Sequence, residues 1–322
     1  MNKNKIPEMK PLFIERMKKL LNKEDWEKYL EILKEKPVNS IRCNTLKISP
    51  EKLKKKLEEK NWKMNQPWKT NPEVMIIENN LMPGEIGRAI EHLLGYYYVQ
   101  ELASMLPIIT LKPKQNEKFL DLCASPGSKT TQSIAEMKNT GLVLANEPAS
   151  SRVNVLKSNI ERCGGTNVII TKNDGILLCK SLLENNFEFD KILVDAPCSG
   201  EGTLRSTYET YLMWNIKTVE NLSKLQRQLA ENAFELLKIG GEMIYSTCTH
   251  APEENEEIVD YLLTKFKDRI EIIKPNLPIK SREGITTWEN KKYSPKVKLC
   301  ARVYPQDNNT EGFFVSQFRK LK

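Results

Sequence analysis

Phe119-Leu120-Asp121-Leu122-Cys123-Ala124-Ser125-Pro126-Gly127-Ser128-Lys129-Thr130-Thr131 is the stretch on which the reading of this 322-residue chain turns. Lys118 to Leu122 has the apolar run of a short buried strand and ends in a turn of small residues. A helix is predicted to begin near Gly127, with Ile134, Ala135 and Met137 on one side. Strand, turn and helix start form the first unit of a doubly wound α/β sheet, whose ligands sit in the crevice at the carboxyl ends of the strands. Small residues let a ligand lie against the backbone, and free N–H groups at the helix start can meet a carboxylate or phosphate. Two better-known turns do not fit. A phosphate-binding P-loop needs a glycine directly before its lysine, where this chain has Ser128. The dinucleotide fingerprint needs three spaced glycines, and only Gly127 follows the strand.

Downstream, the strand-then-helix pattern repeats. Leu142 to Glu147 is a second predicted strand, followed by a helix through Arg152 and Leu156 to Cys163. Val168 to Thr171 is a third, with Asn173-Asp174 at its end, and Lys191 to Asp195 a fourth. A long amphipathic helix from Lys217 to Leu237 precedes Gly240-Gly241 and a fifth strand, Glu242 to Ser246. Asn255 to Lys265 reads as helix, and Gly312 to Phe318 as a late strand added antiparallel at an edge.

Upstream, residues 8 to 35 read as two amphipathic helices broken at Asn22, with Pro37 ending the second. Ser40 to Ile48 is a strand candidate. Ser49-Pro50 starts a helix with the basic face Lys52, Lys54, Lys55, Lys56 and Lys60. Asn61 to Asn80 is turn-rich, and Ala89 to Leu111 is an aromatic and apolar lead-in. Its Tyr96, Tyr97 and Tyr98 suit packing between two domains better than stacking on RNA bases.

The net charge is +8, and its distribution is uneven. Residues 1–70 carry 19 Lys/Arg against 10 Asp/Glu, whereas the remaining 252 carry 31 against 32. A basic accessory region on a near-neutral α/β domain points to a polyanionic substrate, with solvated lysine-rich helix faces as the plain alternative. No apolar run approaches the ~20 residues of a membrane span, and Met1 to Lys10 lacks a hydrophobic signal core. A cytoplasmic protein with no membrane partner is expected. Seven cysteines without CxxC spacing and only two histidines, His92 and His250, argue against a metal site. In a reducing compartment the thiols are core hydrophobes or reactive groups.

Acids close every early strand: Asp121, Glu147, Asp174 and Asp195. A carboxylate after the second strand is placed to accept both hydroxyls of a ribose, and Asp174 an adenine amino group. Nothing cradles a triphosphate, so a nucleoside ligand with few phosphates is favoured, and S-adenosyl-L-methionine fits as a methyl donor. Any one of these acids could be an ordinary helix cap; four together are less easily dismissed. Two cysteines then stand on neighbouring strand ends, in Asp195-Ala196-Pro197-Cys198-Ser199-Gly200 and in Ser246-Thr247-Cys248-Thr249. Carbon 5 of cytosine is a poor nucleophile, and its methylation needs a thiolate to add at carbon 6 with an acid near N3. Two thiols and an aspartate meet that need.

On these motifs the chain resembles the Nop/Sun (Fmu-type) RNA cytosine-5 methyltransferases. The resemblance runs from Ile41-Arg42-Cys43-Asn44 through Gly95-Tyr96-Tyr97 with Gln100, the stretch from Asp121 to Thr130 and both cysteine motifs. It ends with Pro252-Glu253-Glu254-Asn255-Glu256, Arg302-Val303-Tyr304-Pro305 and Gly312-Phe313-Phe314. It implies a Rossmann-like S-adenosylmethionine-dependent methyltransferase sheet, residues 113–322, behind a small α+β RNA-recognition domain and linker, residues 1–112. Cys248 is then the nucleophile, Cys198 assists release, Asp195 contacts the cytosine edge and Lys129 lines the catalytic pocket. Cys123, Ala124, Ser125, Pro126, Gly127, Ser128, Lys129, Glu147, Arg152, Asp174 and Asp195 would hold the cofactor. Two departures are Ser128, in place of a second glycine, which needs a negative φ there, and Gln306, where many members have histidine. The short N-terminal region is most like compact archaeal-type tRNA members, so tRNA is the expected partner, with ribosomal RNA as the alternative and a monomer as the expected state. A non-catalytic RNA-binding assembly factor on the same fold is the competing reading from another class. A DNA or small-molecule methyltransferase is the third.

Overall fold

Residues 9–207 and 209–322 are described by the structure, a computed structural model; the polar stretch up to residue 8 lies outside them. Helices α1 (Pro11–Leu20) and α2 (Lys23–Ile32) are separated at Asn22, whose side chain caps α2 by accepting from Asp25 N at 2.8 Å. β1 (Asn39–Cys43) follows, then α3 (Pro50–Glu58), capped by Ser49. β2 (Met64–Asn65), β3 (Val74–Ile77), the short helices α4 (Glu85–Arg88) and α5 (Ile90–Leu93), and β4 (Tyr97–Val99) complete an antiparallel sheet of order β2-β3-β1-β4. Two expectations are corrected here. The strand predicted over 40–48 stops at Cys43, where Asn44 turns the chain by donating to Gly95 O and Cys163 O, 2.8 Å each. The turn-rich stretch 61–80 contains β2 and β3, which flank Pro67 and Pro72 and are too short to show alternation.

α6 (Leu102–Leu111) is buried along its length and leads into the large sheet. Its parallel strands are β5 (Lys118–Asp121), β6 (Leu142–Asn146), β7 (Val168–Thr171), β8 (Phe189–Asp195) and β9 (Leu237–Thr247). Between them run α7 (Ser128–Glu136), α8 (Ser150–Cys163), α9 (Gly175–Glu184), a short α10 (Glu209–Met213) and α11 (Ile216–Glu235). After β9 come α12 (Glu256–Phe266), β10 (Ile270–Ile273), β11 (Arg282–Glu283) and the small β12–β13 hairpin (Thr287–Trp288, Lys291–Lys292). β14 (Ala301–Val303), α13 (Pro305–Asn308) and β15 (Phe313–Lys320) end the chain. The order β11-β14-β15-β9-β8-β5-β6-β7 reverses direction of growth between β5 and β8, and the crevice outside that switch point is where a doubly wound sheet takes its ligand. β15 is antiparallel, as expected, but it is not an edge: β9 lies on one side and β10 and β14 share the other. The fifth strand also begins earlier than predicted, at Leu237, with Gly240-Gly241 inside it.

The two sheets are joined by buried polar contacts. Arg42 of β1 donates to Ser128 O (2.7 Å), Thr131 Oγ1 (2.9 Å) and the Gln100 side chain, reaching the first turn of α7. Tyr98 lies between the guanidinium groups of Arg42 and Arg162, 5.5 and 5.4 Å from its ring, so this tyrosine packs at a junction. α1 and α2 sit against the large sheet's side of the molecule: Phe13, Met17, Trp26 and Tyr29 form one cluster with Leu204, Trp214, Ala251 and Tyr304. Arg16 forks onto Glu253 at 3.0 and 2.7 Å. Leu53 and Leu57 bury one face of α3 and leave Lys52, Lys55 and Lys56 exposed on the other. No helix among the described residues is long and apolar enough to cross a membrane.

Candidate active site

β8 and β9 run parallel with Asp195 opposite Ser246, and each strand then releases a cysteine-bearing turn on the same rim. Cys198 Sγ and Cys248 Sγ stand 3.2 Å apart. The shared hydrogen bond with Cys248 and burial push the Cys198 thiol well above the usual range, with the negative charges of Cys248 and Glu254 adding to the effect. This favours Cys198 as the donor of the hydrogen bond the two sulfurs share, in which either can donate. Close backbone approach fixes the turns: Gly202 N donates to Cys248 O at 2.9 Å, and a Cβ on Gly202 would meet Gly312 O at 2.4 Å.

Asp195 is held from both oxygens. Ser246 Oγ donates to Oδ1 at 2.7 Å, and Lys129 Nζ lies 2.7 Å from Oδ2. Lys129 comes from the first turn of α7, donates to Ser104 Oγ at 2.8 Å and lies 5.3 Å from the Phe313 ring centre. Asp195, Lys129, Ser104 and Phe313 line a cavity of 360 Å³ with Cys248, Gln100, Glu101 and Glu311. Its outer wall is Pro37 to Ser40 of the N-terminal sheet.

A second cavity, of 420 Å³, lies outside the ends of β5 to β8 and shares Asp195, Ala196 and Cys248 with the first. Cys123, Ser125, Glu147, Arg152, Asp174 and Asp195 of the expected cofactor set line it. Ala124, Pro126, Gly127 and Ser128 do not, and Lys129 faces the other cavity. The turn faces its carbonyls elsewhere: Pro126 O accepts from Asn159, and Ser128 O from Arg42. Gly127 has φ 102° and caps α7, while Ser128 is absent from the positive-φ residues and so meets the condition its side chain imposes. Gln306, on α13, lines neither cavity.

The donor set of the second cavity suits S-adenosylmethionine. Glu147 accepts from Ala149 N at 2.9 Å and pairs with Arg152 at 3.3 Å, leaving acceptor capacity for a ribose diol. Asp174 caps α9 with Oδ1 alone, toward Ile176 N and Leu177 N, so Oδ2 is left for an amine. Leu122, Pro148, Leu225 and Leu229 supply an apolar lining for the adenine. Asp121, one residue behind that wall, is buried with Oδ1 lacking a protein partner, and burial pushes it up to about 7 against the Thr130 hydrogen bond. An excess of acids over the single Arg152 matches a ligand bearing a sulfonium and an ammonium.

Sequence reasoning left out the side chains that hold these groups. Ser246 was legible only as part of a motif, and its bond to Asp195 follows from strand register. Ser104 and Phe313 come from distant segments. Glu254 and Gln226 are buried behind the Cys198 turn. Asn146 ties Leu122, Thr171 and Asn173 together under the cofactor cavity.

A sheet of this order, with a nucleoside crevice at its switch point, is that of an S-adenosylmethionine-dependent methyltransferase. The 16S rRNA methyltransferase RsmB/F family matches residues 108–319, and the N-terminal domain of 16S rRNA methyltransferase RsmF matches residues 9–102. The chain belongs to the RsmB/F family. It is 40% identical over 319 residues to the tRNA (cytosine(49)-C(5))-methyltransferase of Pyrococcus abyssi, covering 99% of this chain and 98% of that one. It is 42% identical over 284 residues to ribosomal RNA small subunit methyltransferase F of Aliivibrio salmonicida, covering 87% of this chain and 57% of that one. The chain thus spans somewhat over half the length of such ribosomal relatives. A solved methyltransferase homologue from Pyrococcus horikoshii superposes with a TM-score of 0.83 at 32% identity, covering 98% and 96% of the two chains.

Proposed function

We infer that this chain is an RNA cytosine-5 methyltransferase acting on tRNA, with Cys248 as nucleophile and Cys198 as the group that assists release. The observation that carries the reading is the pair of sulfurs 3.2 Å apart where the 420 Å³ cofactor cavity meets the 360 Å³ cavity. The target cytosine must leave its stack to enter the 360 Å³ cavity lined by Lys129, Asp195 and Cys248. The thiolate of Cys248 forms a bond to carbon 6, and the electron pair of the 5,6 double bond moves onto carbon 5 and toward N3. Asp195 accepts from the exocyclic amine, and the Lys129 ammonium offsets the negative charge developing on the ring. S-adenosylmethionine, when bound, supplies the electrophilic methyl group that carbon 5 takes.

Release requires that carbon 5 lose its hydrogen as a proton and that the carbon 6–sulfur bond break, returning the thiolate to Cys248. Before attack, the neighbouring sulfur charge keeps Cys198 protonated. Once Cys248 is bonded to the base that charge is gone, so Cys198 can pass its proton to solvent and accept the one from carbon 5. The basic residues up to 112, with the exposed lysines of α3, would grip phosphates and make affinity salt-dependent. Seven free thiols, two of them needed in reduced form, agree with a cytoplasmic site of action. Correspondence over nearly the full length of the Pyrococcus abyssi enzyme favours tRNA, while the RsmF relatives support ribosomal RNA as the second reading.

The test is methyl incorporation into unmodified tRNA and unmodified 16S ribosomal RNA. The expected result is 5-methylcytosine in tRNA. Label only in ribosomal RNA would overturn the tRNA choice. A folded protein that binds cofactor and labels neither would bring forward the assembly-factor reading.

A further inference from the structure

Cys198 sits on a turn, not on a strand, yet its sulfur is held within 3.2 Å of Cys248. The residues on either side of it explain how. Before it, Pro197 O accepts from Gln226 Nε2 at 2.8 Å. After it, Ser199 N donates to Glu254 Oε2 at 3.0 Å, and Ser199 Oγ donates to Glu254 Oε1. Gln226 Nε2 also donates to Glu254 Oε2 at 2.7 Å, so the two grips are one unit. Ser199 Oγ then meets Thr249 Oγ1 at 2.8 Å, and Thr249 is the residue after Cys248. Glu254 and Gln226 are both fully buried and line neither cavity. A buried carboxylate is expensive unless its hydrogen bonds are made, and among the described residues the Glu254 side chain bonds to the Cys198 turn and to the residue that grips it.

We propose that Glu254 is a positioning residue that, through Ser199 and Thr249, holds Cys198 against Cys248 and so sets the rate of adduct release without setting the rate of attack. The inference rests on the reading that Cys198 assists release. Attack is spared because Cys248 directly follows Thr247, the last residue of a long interior strand held on one side by β8 and on the other by β15. The link from Glu254 to β9, Tyr245 OH to Glu254 O at 2.6 Å, uses the backbone carbonyl and survives side-chain replacement. Glu254→Ala removes both grips on Ser199, whereas Glu254→Gln keeps one oxygen for Ser199 N and Gln226 and turns its amide toward Ser199 Oγ, which can accept.

The experiment compares wild type, Cys198→Ala, Glu254→Ala and Glu254→Gln with S-adenosylmethionine and unmodified tRNA. Denaturation-resistant protein–RNA complex and methyl transfer are followed in a single turnover. Glu254→Ala is expected to accumulate methylated adduct, with release slowed about tenfold, the lower end of what losing hydrogen bonds to a charged group costs. Adduct formation should stay near the wild-type rate, and Glu254→Gln should release normally. Adduct with Cys198→Ala but not with Glu254→Ala overturns the positioning role and leaves the Cys198 reading standing. Adduct with neither overturns both. If Glu254→Ala does not fold, Ser199→Ala decides: it removes only a hydroxyl from a half-buried turn, and adduct accumulation supports the clamp while normal release overturns it.

Discussion

The cofactor cavity and the target-base cavity meet at Asp195, Ala196 and Cys248, yet they are assembled in opposite ways. Most of the first is lined by Leu122 to Cys198, the successive ends of β5, β6, β7 and β8. The second gathers Pro37 and Val99 from the small sheet, Lys129 and Asp195 from the large one, and Glu311 and Phe313 from the end of the chain. One is a property of a single doubly wound unit. The other exists only when the small sheet is locked onto α7 through Arg42 and onto α8 through Asn44. Damage to the docking should therefore abolish work on RNA and leave cofactor binding almost untouched.

The largest effect is expected at the point the cavities share. Cys248→Ala should lose methyl transfer to below detection while binding cofactor as tightly as wild type, measured by calorimetry beside a methylation assay. Next comes Arg42→Ala. It strands Ser128 O and the Gln100 side chain in a buried junction, at about 1–3 kcal/mol for each unsatisfied group. Methylation of tRNA should fall at least tenfold and the melting temperature should drop, with the cofactor Kd within threefold, both about the size that cost allows. Equal loss of cofactor binding would show that the two cavities are not separable. Glu147→Gln tests the other side: loss of a charge-assisted acceptor worth about 1.5–3 kcal/mol should raise the cofactor Kd roughly 10–100-fold and leave RNA affinity unchanged.

The last effect is on stability and not on catalysis, and concerns Asp121. Its carboxyl is raised from an ordinary 3.8 to about 7 by burial. Below pH 3.8 both folded and unfolded chains are protonated and the group contributes nothing. Between 3.8 and 7 the unfolded chain ionises first, so stability falls with rising pH, and above 7 the loss is constant. Asp121→Asn should match wild type near pH 3.5 and exceed it near pH 8 by up to about 4 kcal/mol in the cofactor-free protein. Denaturant unfolding at the two pH values measures it, and an equal difference at both would remove the linkage.

The same contrast decides what could be read from residues alone. Strands β5 to β8 announce themselves as apolar runs closed by Asp121, Glu147, Asp174 and Asp195, because interior strands such as β5 and β6, buried on both faces, have little other way to be written. The cofactor cavity follows from them. β2 and β3 were hidden because a two-residue strand before Pro67 and a four-residue strand after Pro72 leave no period to detect. β15 read as an edge because its partners β10 and β14 are short strands from remote segments. Ser246 and Glu254 acquire roles only through register and burial: Ser246 is opposite Asp195 in the ladder, and Glu254 reaches Ser199 across 55 residues of sequence. In the turn from Ala124 to Ser128, read as ligand-facing throughout, Ser125 lines the cofactor cavity while the carbonyls of Pro126 and Ser128 serve α8 and the small sheet.

The central claim is that Cys248 bonds to the base and Cys198 frees it. The direct measurement is to incubate Cys198→Ala with S-adenosylmethionine and unmodified tRNA, denature, digest the RNA and map the nucleotide-bearing peptide by mass spectrometry. The expected result is a single methylated cytidine attached to the peptide containing Cys248. Attachment at another cysteine, or normal turnover with no trapped complex, would contradict it.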